Sequence, residues 1–234
     1  MNISIKGLQK TSLIDYPPHI ASVVFLGGCN FRCGFCHNPE LVLGFDKSKD
    51  IDVERVLKQL KGKKKWIDGV CITGGEPTLY PDLYKFIYEL KKEGFLVKID
   101  TNGTNPETLQ YLIQNKLIDY VAMDIKAPLE KYSEVVGVNV DKEAIQKSVD
   151  LIMKSGIIYE FRTTAVPGLL KKEDFLKIGQ WLKGSERFCI QQFRNTRALI
   201  NESLKNVQPY SQKELEEFSD TVRPYFEAIE IKNI

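Results

Sequence analysis

The chain is short of several things, and each shortage excludes something. No run approaches the roughly 18 consecutive apolar residues that a membrane-spanning helix needs, so no membrane partner is expected. Residues Met1 to Lys10 hold no continuous apolar stretch of the kind a secretory signal carries, which makes the cytoplasm the expected location. Charge of one sign is missing as well: 33 Lys and Arg stand against 31 Asp and Glu, a net +2. A nucleic-acid partner, which calls for a strongly basic face, is therefore not expected. The densest basic run, Lys61 to Lys65 broken only by Gly62, follows a helix-like segment and reads as a solvated helix end. Histidine is nearly absent: His19 and His37 are the two in the chain, so little imidazole is on hand for general acid–base catalysis. No long linker or low-complexity tract divides the chain. Its 234 residues, 43% of them hydrophobic, suffice for one single-core domain over 1–234.

Cysteine is scarce too, with five in all, but three fall close together: Cys29, Cys33 and Cys36. Cys71 and Cys189 sit in apolar runs and read as small buried hydrophobes. An odd total with tight local clustering argues against a disulfide framework. Thiolates this near one another are soft ligands for an iron–sulfur cluster or for zinc. Zinc needs a fourth ligand, and His37, directly after Cys36, is poorly placed to fill a second corner of the same tetrahedron. A zinc-binding interaction module is the non-enzymatic alternative. A cubane cluster is normally held by four thiolates, so three would leave one iron open to another ligand. No second Cys-x2-Cys pair is present to hold a second cluster.

Apolar runs alternate with amphipathic ones. Strands are predicted over Ala21–Leu26, Gly69–Thr73, Phe95–Asp100, Tyr120–Asp124, Ile157–Ala165 and Arg187–Gln191. Helices are predicted over Val53–Lys61, Pro81–Glu93, Pro106–Asn115, Lys142–Ser155, Lys171–Lys183 and Gln212–Val222. Pro81 and Pro106 suit a first helical turn, Ser211 with Glu214 reads as a capping box, and Pro224 should stop the last helix. Trp66 and Trp181 read as core. Strand-then-helix repetition implies an α/β fold with parallel strands, as a doubly wound sheet or a barrel. In either case chemistry collects at the C-terminal strand ends. The cysteine loop, Gly74-Gly75-Glu76-Pro77, Asp100-Thr101-Asn102-Gly103, Asp124-Ile125-Lys126 and Val166-Pro167-Gly168 all fall at or just beyond that end. The cysteine loop itself is expected to lie outside the hydrophobic core.

Cys29-x3-Cys33-x2-Cys36, with Phe35 before the last cysteine and Gly-Gly-Glu-Pro after the second strand, resembles the signature of the radical S-adenosylmethionine (SAM) superfamily. The stretches Lys10 to Pro17, Val24 to Cys33 and Cys36-His37-Asn38-Pro39 resemble the glycyl-radical-enzyme activases within it, from the N-terminus to about Gly168. The resemblance implies a partial TIM barrel, (β/α)6, with a cluster loop over 27–39 and a variable C-terminal part from about 195 to 234. It implies a [4Fe–4S] cluster on Cys29, Cys33 and Cys36, its fourth iron chelated by SAM. Reductive cleavage of SAM would give a 5′-deoxyadenosyl radical that takes a hydrogen atom from a glycine of a partner protein. That partner would be a glycyl radical enzyme: an anaerobic ribonucleoside-triphosphate reductase first, a pyruvate formate-lyase-like enzyme second. Flavodoxin or ferredoxin would be the electron donor. A small-molecule enzyme of the 7-carboxy-7-deazaguanine synthase type is the alternative. By the same resemblance Gly74, Gly75 and Glu76 would meet the methionine amino group, and Asp100, Thr101 and Asn102 the ribose or methionine part. Lys126, paired in the motif with Asp124, would meet the methionine carboxylate, and Phe35 the adenine. Asp100, Thr101 and Asp124 would help hold a monovalent cation near that carboxylate. Arg162 would contact cofactor or partner, with a strand-edge salt bridge as the plainer reading. His37 would order the cluster loop or face the partner.

Overall fold

In the computed structural model, which describes residues 1–44, 46, 49–196 and 198–232, eight strands form one sheet in sequence order. β1 (Ile5–Ser12) lies antiparallel to β2 (Ala21–Leu26) at one edge. β3 (Gly69–Gly74), β4 (Leu96–Thr101), β5 (Tyr120–Asp124), β6 (Ile158–Ala165), β7 (Ser185–Gln192) and β8 (Phe226–Lys232) then follow β2 in parallel. Helices α1 (Pro39–Leu43) and α2 (Val53–Lys61) carry the chain from β2 to β3. α3 (Leu83–Lys92), α4 (Pro106–Gln114), α5 (Tyr132–Val136), α6 (Lys142–Met153), α7 (Lys172–Trp181) and α8 (Gln212–Val222) make the later crossovers. The six predicted strands and six predicted helices are all present, in the α/β partial barrel. β1, β8 and the short α1 and α5 add to them. Ser211 and Glu214 cap α8 reciprocally, and α8 ends at Val222, two residues before Pro224. Pro81 lies ahead of α3 instead of inside it, since Asp82 is the N-cap.

Two faces of the sheet differ in chemistry. On the outer face Val24, Val70, Ile72, Val97, Ile99, Val121, Phe161 and Ile190 pack with Phe86, Leu109, Ile152, Phe175 and Leu215 from the helices, all buried. The alternate residues face inward, and there Lys98, Glu160, Arg162, Gln191, Glu230 and Lys232 line a cavity of about 730 Å³. A TIM barrel ordinarily fills its interior with branched apolar side chains. A charged interior means that these strands alternate because the inside of the barrel is kept for polar business. The turn from Leu13 to Pro17 borders the same cavity. Tyr16 is buried there edge-on to Tyr120, 5.7 Å between centroids, while Leu13 and Ile14 are 69% and 80% exposed.

Cys71 and Cys189 are buried in β3 and β7, as their apolar settings suggest. Trp66 corrects the sequence reading: it is 75% exposed, on the basic turn after α2. Trp181 is half-buried at the end of α7, its indole N–H donating to Gln146 Oε1 at 2.7 Å. Trp66→Ala should therefore change the unfolding free energy by less than about 0.5 kcal/mol. Phe86→Ala, in the fully buried core, should cost about 3–5 kcal/mol. Denaturant unfolding measures both, and equal losses would contradict this placement of Trp66.

Candidate active site at the C-terminal strand ends

The motif residues meet at one place. Cys29, Cys33, Cys36, Phe35, Gly74, Gly75, Glu76, Asp100, Thr101, Asn102, Asp124 and Lys126 all line a cavity of about 250 Å³ at the C-terminal ends of the strands. Of the residues expected to touch cluster or cofactor, Arg162 is the exception and is not on this wall; it lines the barrel cavity.

The cysteine loop leaves β2 at Gly27 and is strapped at its base. Tyr80 donates its hydroxyl to Gly27 O (2.6 Å), Gly28 N–H to Leu41 O (2.7 Å), and Glu76 N–H to Gly28 O (2.8 Å). The strands come so close here that a Cβ on Gly75 would stand 1.8 Å from Gly28 O. Gly74, at φ 119°, is equally constrained by Leu26. The two glycines thus let the end of β3 pass against the base of the loop, a reason internal to the chain. Further along, Cys36 N–H donates to Cys33 O (3.0 Å) and Asn201 N–H to Gly34 O (2.8 Å). The expectation that this loop lies outside the core fails. Phe31, Cys33 and Phe35 are 3%, 7% and 5% exposed and belong to the main apolar cluster, because α5 and the segment after β7 fold over them. His37 Nε2 lies 3.0 Å from Arg194 O, and the ring stacks on Phe193, so this side chain also ties the loop to that segment.

Glu76 is buried, and its carboxylate is fully engaged. Oε1 accepts from Thr78 N–H (3.1 Å), Thr78 Oγ1 (2.5 Å) and Thr101 Oγ1 (2.8 Å); Oε2 accepts from Asn102 N–H (2.6 Å). Burial pushes its pKa up, and the donors pull the other way. Glu76 therefore clamps the end of β3 to the end of β4. Asn102 carries the clamp on to the cluster loop, donating to Asn30 Oδ1 (2.8 Å) with Cys29 Sγ at 3.9 Å. Asn30 was not legible in the sequence, because nothing local marks it as the partner of a residue 72 positions away; Thr78, two residues from Glu76, closes a local turn that no motif singles out.

A chain of opposite charges runs inward from the cavity. Lys126 Nζ sits 3.0 Å from Asp124 Oδ2, and Arg162 Nε 2.8 Å from Asp124 Oδ1. Arg162 Nη1 reaches Asp100 Oδ2 at 3.4 Å and Glu160 Oε1 at 3.9 Å, and Lys98 Nζ meets Asp100 Oδ1 at 2.6 Å. Register explains the contacts: Asp124 and Arg162 are partners across β5 and β6, facing the same way. Burial by itself would raise both Asp pKa values. The Arg162 guanidinium overcomes it, with Lys126 for Asp124 and Lys98 for Asp100, and both carboxyls lie below the usual range. Lys126 is pushed up by Asp124 and Cys33 against its own burial. Lys98 and Glu160, members of this network, carry no motif in the sequence and are marked there only by their strands.

The Radical SAM superfamily profile matches residues 23–182. The chain belongs to the radical SAM superfamily. Over its whole length it is 38% identical to a Methanocaldococcus jannaschii protein provisionally named a glycyl-radical enzyme activating enzyme, covering 98% of that protein. It is 30% identical to the pyruvate formate-lyase-activating enzyme of Clostridium pasteurianum, over 76% of each chain. Among solved structures, SuiB of Streptococcus suis bound to S-adenosylmethionine superposes with a TM-score of 0.68 at 17% identity. That likeness covers 88% of this chain and spans about half (48%) of the SuiB chain.

The donor set fits the superfamily's cofactors, a [4Fe–4S] cluster and SAM. Burial pushes the Cys33 thiol up to about 12, against the pull of Lys126, and raises Cys29 as well. Buried thiols in such a setting become thiolates when a metal supplies the positive charge. His37 also lines the cavity, with Nε2 beside the Arg194 carbonyl oxygen.

Two outcomes test this geometry. Gly75→Ala should lower stability by about 3 kcal/mol, because backbone cannot yield 1 Å or more without straining the strand; Gly156→Ala, with φ 70° and nothing nearby, should cost only about 1 kcal/mol. Equal melting temperatures for the two would refute the close approach. Asp124 has a depressed pKa, so its stabilisation is complete above the unfolded value near 3.9 and is lost as pH falls through the folded one. The stability gap between wild type and Asp124→Asn, measured without cofactor, should be about 2 kcal/mol near neutrality and narrow steadily as pH drops below about 4. A gap independent of pH would contradict the ion pairs.

Proposed function

We propose that this radical SAM enzyme is an activase that installs a glycyl radical on a partner enzyme, first an anaerobic ribonucleoside-triphosphate reductase. The observation that carries this reading is the 38% identity along the entire chain to a relative provisionally named for that activity. Cys29, Cys33 and Cys36 would hold the cluster and leave its fourth iron to SAM. Bound there, the reduced cluster and SAM supply one-electron cleavage of the sulfonium and hydrogen-atom abstraction. Lys126, a compact cation on a flexible stem at the cavity wall, would take the methionine carboxylate. Gly74 and Gly75 present bare backbone to the amino group, Asp100, Thr101 and Asn102 line the ribose side, and Phe35 gives the adenine an apolar wall. Phe31, Phe35 and Val42 keep water from the reacting atoms. A flavodoxin or ferredoxin would deliver the electron.

A pyruvate formate-lyase-type partner is the second reading, favoured by the relatives of that name that match about three quarters of the chain. The match to the 7-carboxy-7-deazaguanine synthase of Neisseria meningitidis covers 46% of the chain and gives the small-molecule reading less support.

The experiment is anaerobic reconstitution followed by incubation with SAM, reductant and each candidate glycyl radical enzyme. The reading predicts 5′-deoxyadenosine together with a glycine-centred doublet in the electron paramagnetic resonance spectrum. Release of 5′-deoxyadenosine with no doublet from any candidate would contradict the activase reading. Cys36→Ser should lose cluster absorbance and SAM cleavage while the iron-free protein stays within about 0.5 kcal/mol of wild type. Full iron content in that variant would remove Cys36 from the ligand set.

A further inference from the structure

Asp100 and Asp124 rise from neighbouring strands on the inner face of the barrel, and two carboxylates in such a place cannot both stay ionised without a cation between them. We propose that Arg162 is that cation: its guanidinium takes the place of a bound monovalent ion and keeps Asp124 fixed when Lys126 turns to the carboxylate of the cosubstrate. The proposal rests on the SAM site and is independent of which protein carries the target glycine.

All four carboxylate oxygens already face cations of the chain itself. Asp100 gives Oδ1 to Lys98 (2.6 Å) and Oδ2 to Arg162 (3.4 Å). Asp124 gives Oδ1 to Arg162 (2.8 Å) and Oδ2 to Lys126 (3.0 Å). Thr101, the third group expected at a cation site, donates its hydroxyl to Glu76 (2.8 Å) and accepts Gly103 N–H (3.1 Å). Hard cations need several oxygen ligands gathered around one point, and until Lys126 turns away these oxygens are committed elsewhere; once it turns, Asp124 Oδ2 alone is released. Charge agrees with geometry. Lys98, Lys126 and Arg162 balance Asp100, Asp124 and Glu160, and Lys232 pairs with both Glu160 (3.1 Å) and Glu230 (3.2 Å). Each carboxylate of this network has a cation of the chain beside it before any ion enters, so an added cation would have to displace one of them.

The division of labour between Arg162 and Lys126 follows from their chemistry. A guanidinium is planar, permanently charged and forked, so one group can bridge carboxylates from β4, β5 and β6. Its side chain is only 12% exposed and is not on the wall of the cofactor cavity. Lys126 is on that wall, and an ammonium can be reoriented about its stem. When it leaves Asp124 Oδ2, Arg162 still holds Oδ1. Arg162 is thus a positioning residue, acting on SAM through Asp124.

The test uses potassium, sodium and choline chlorides at one ionic strength. It reads the melting temperature of the cofactor-free protein and the SAM dissociation constant of the reconstituted enzyme. Wild type should show the same melting temperature in all three salts, with dissociation constants agreeing within about two-fold, because no ion binds the folded state selectively. Arg162→Met should bind SAM roughly ten-fold more weakly in choline, and potassium or sodium should restore both affinity and melting temperature. A wild-type protein stabilised or tightened by potassium or sodium over choline would overturn the proposal. So would an Arg162→Met protein indifferent to the cation. If Arg162→Met does not fold, the wild-type series decides alone. If wild type binds no SAM, the cofactor assignment fails, while the melting series still reads the cation question.

Discussion

One guanidinium crosses three strands on the inner face of this barrel, and the arrangement of the site depends on it. Arg162 touches Asp100 of β4, Asp124 of β5 and Glu160 of β6. Without a cation there, the carboxylates would have to protonate or move apart. With it, Asp124 stays ionised and can orient Lys126, whose backbone N–H lies 3.3 Å from the Tyr132 hydroxyl, itself 3.3 Å from Asp124 O. Buried charges seldom add net stability compared with apolar packing. A barrel that keeps this many inside therefore spends stability on a polar interior, which is what a site for a charged cosubstrate calls for.

The second constraint is a close approach of backbones. The cysteine loop is rigid where it leaves the sheet because Gly28 O lies against Gly75 and takes the Glu76 N–H. Glu76 then turns its carboxylate to Thr78, Thr101 and Asn102, and Asn102 reaches back to Asn30 and Cys29. Strand ends, glycines and cysteines form one hydrogen-bonded frame. The buried Phe31 and Phe35 seat that frame on the core.

Much of this was legible in the sequence, for physical reasons. Strands β2 to β7 have apolar outer faces, and the helices between them show the three- and four-residue spacing of a buried stripe. The site was legible because parallel sheets present their strand ends together, so motifs far apart in sequence had to meet. β1 escaped notice because an edge strand such as Ile5–Ser12 buries little and carries lysines. β8 is likewise half-exposed, held partly by Phe226 stacked on Phe188 at 4.6 Å. Trp66 misled because a large aromatic suggests core, and only the fold shows it on a solvated turn. The partners of Glu76 and Arg162 depend on cross-strand register, which composition and spacing do not carry.

Cys29, Cys33 and Cys36 would hold a cluster whose remaining iron is open to SAM. Mössbauer spectroscopy of protein reconstituted with iron-57, recorded before and after SAM is added, tests it most directly. One iron in four of the [4Fe–4S] cluster should change its isomer shift when SAM binds, while the other three do not. Four irons that remain alike and unmoved by SAM would contradict it.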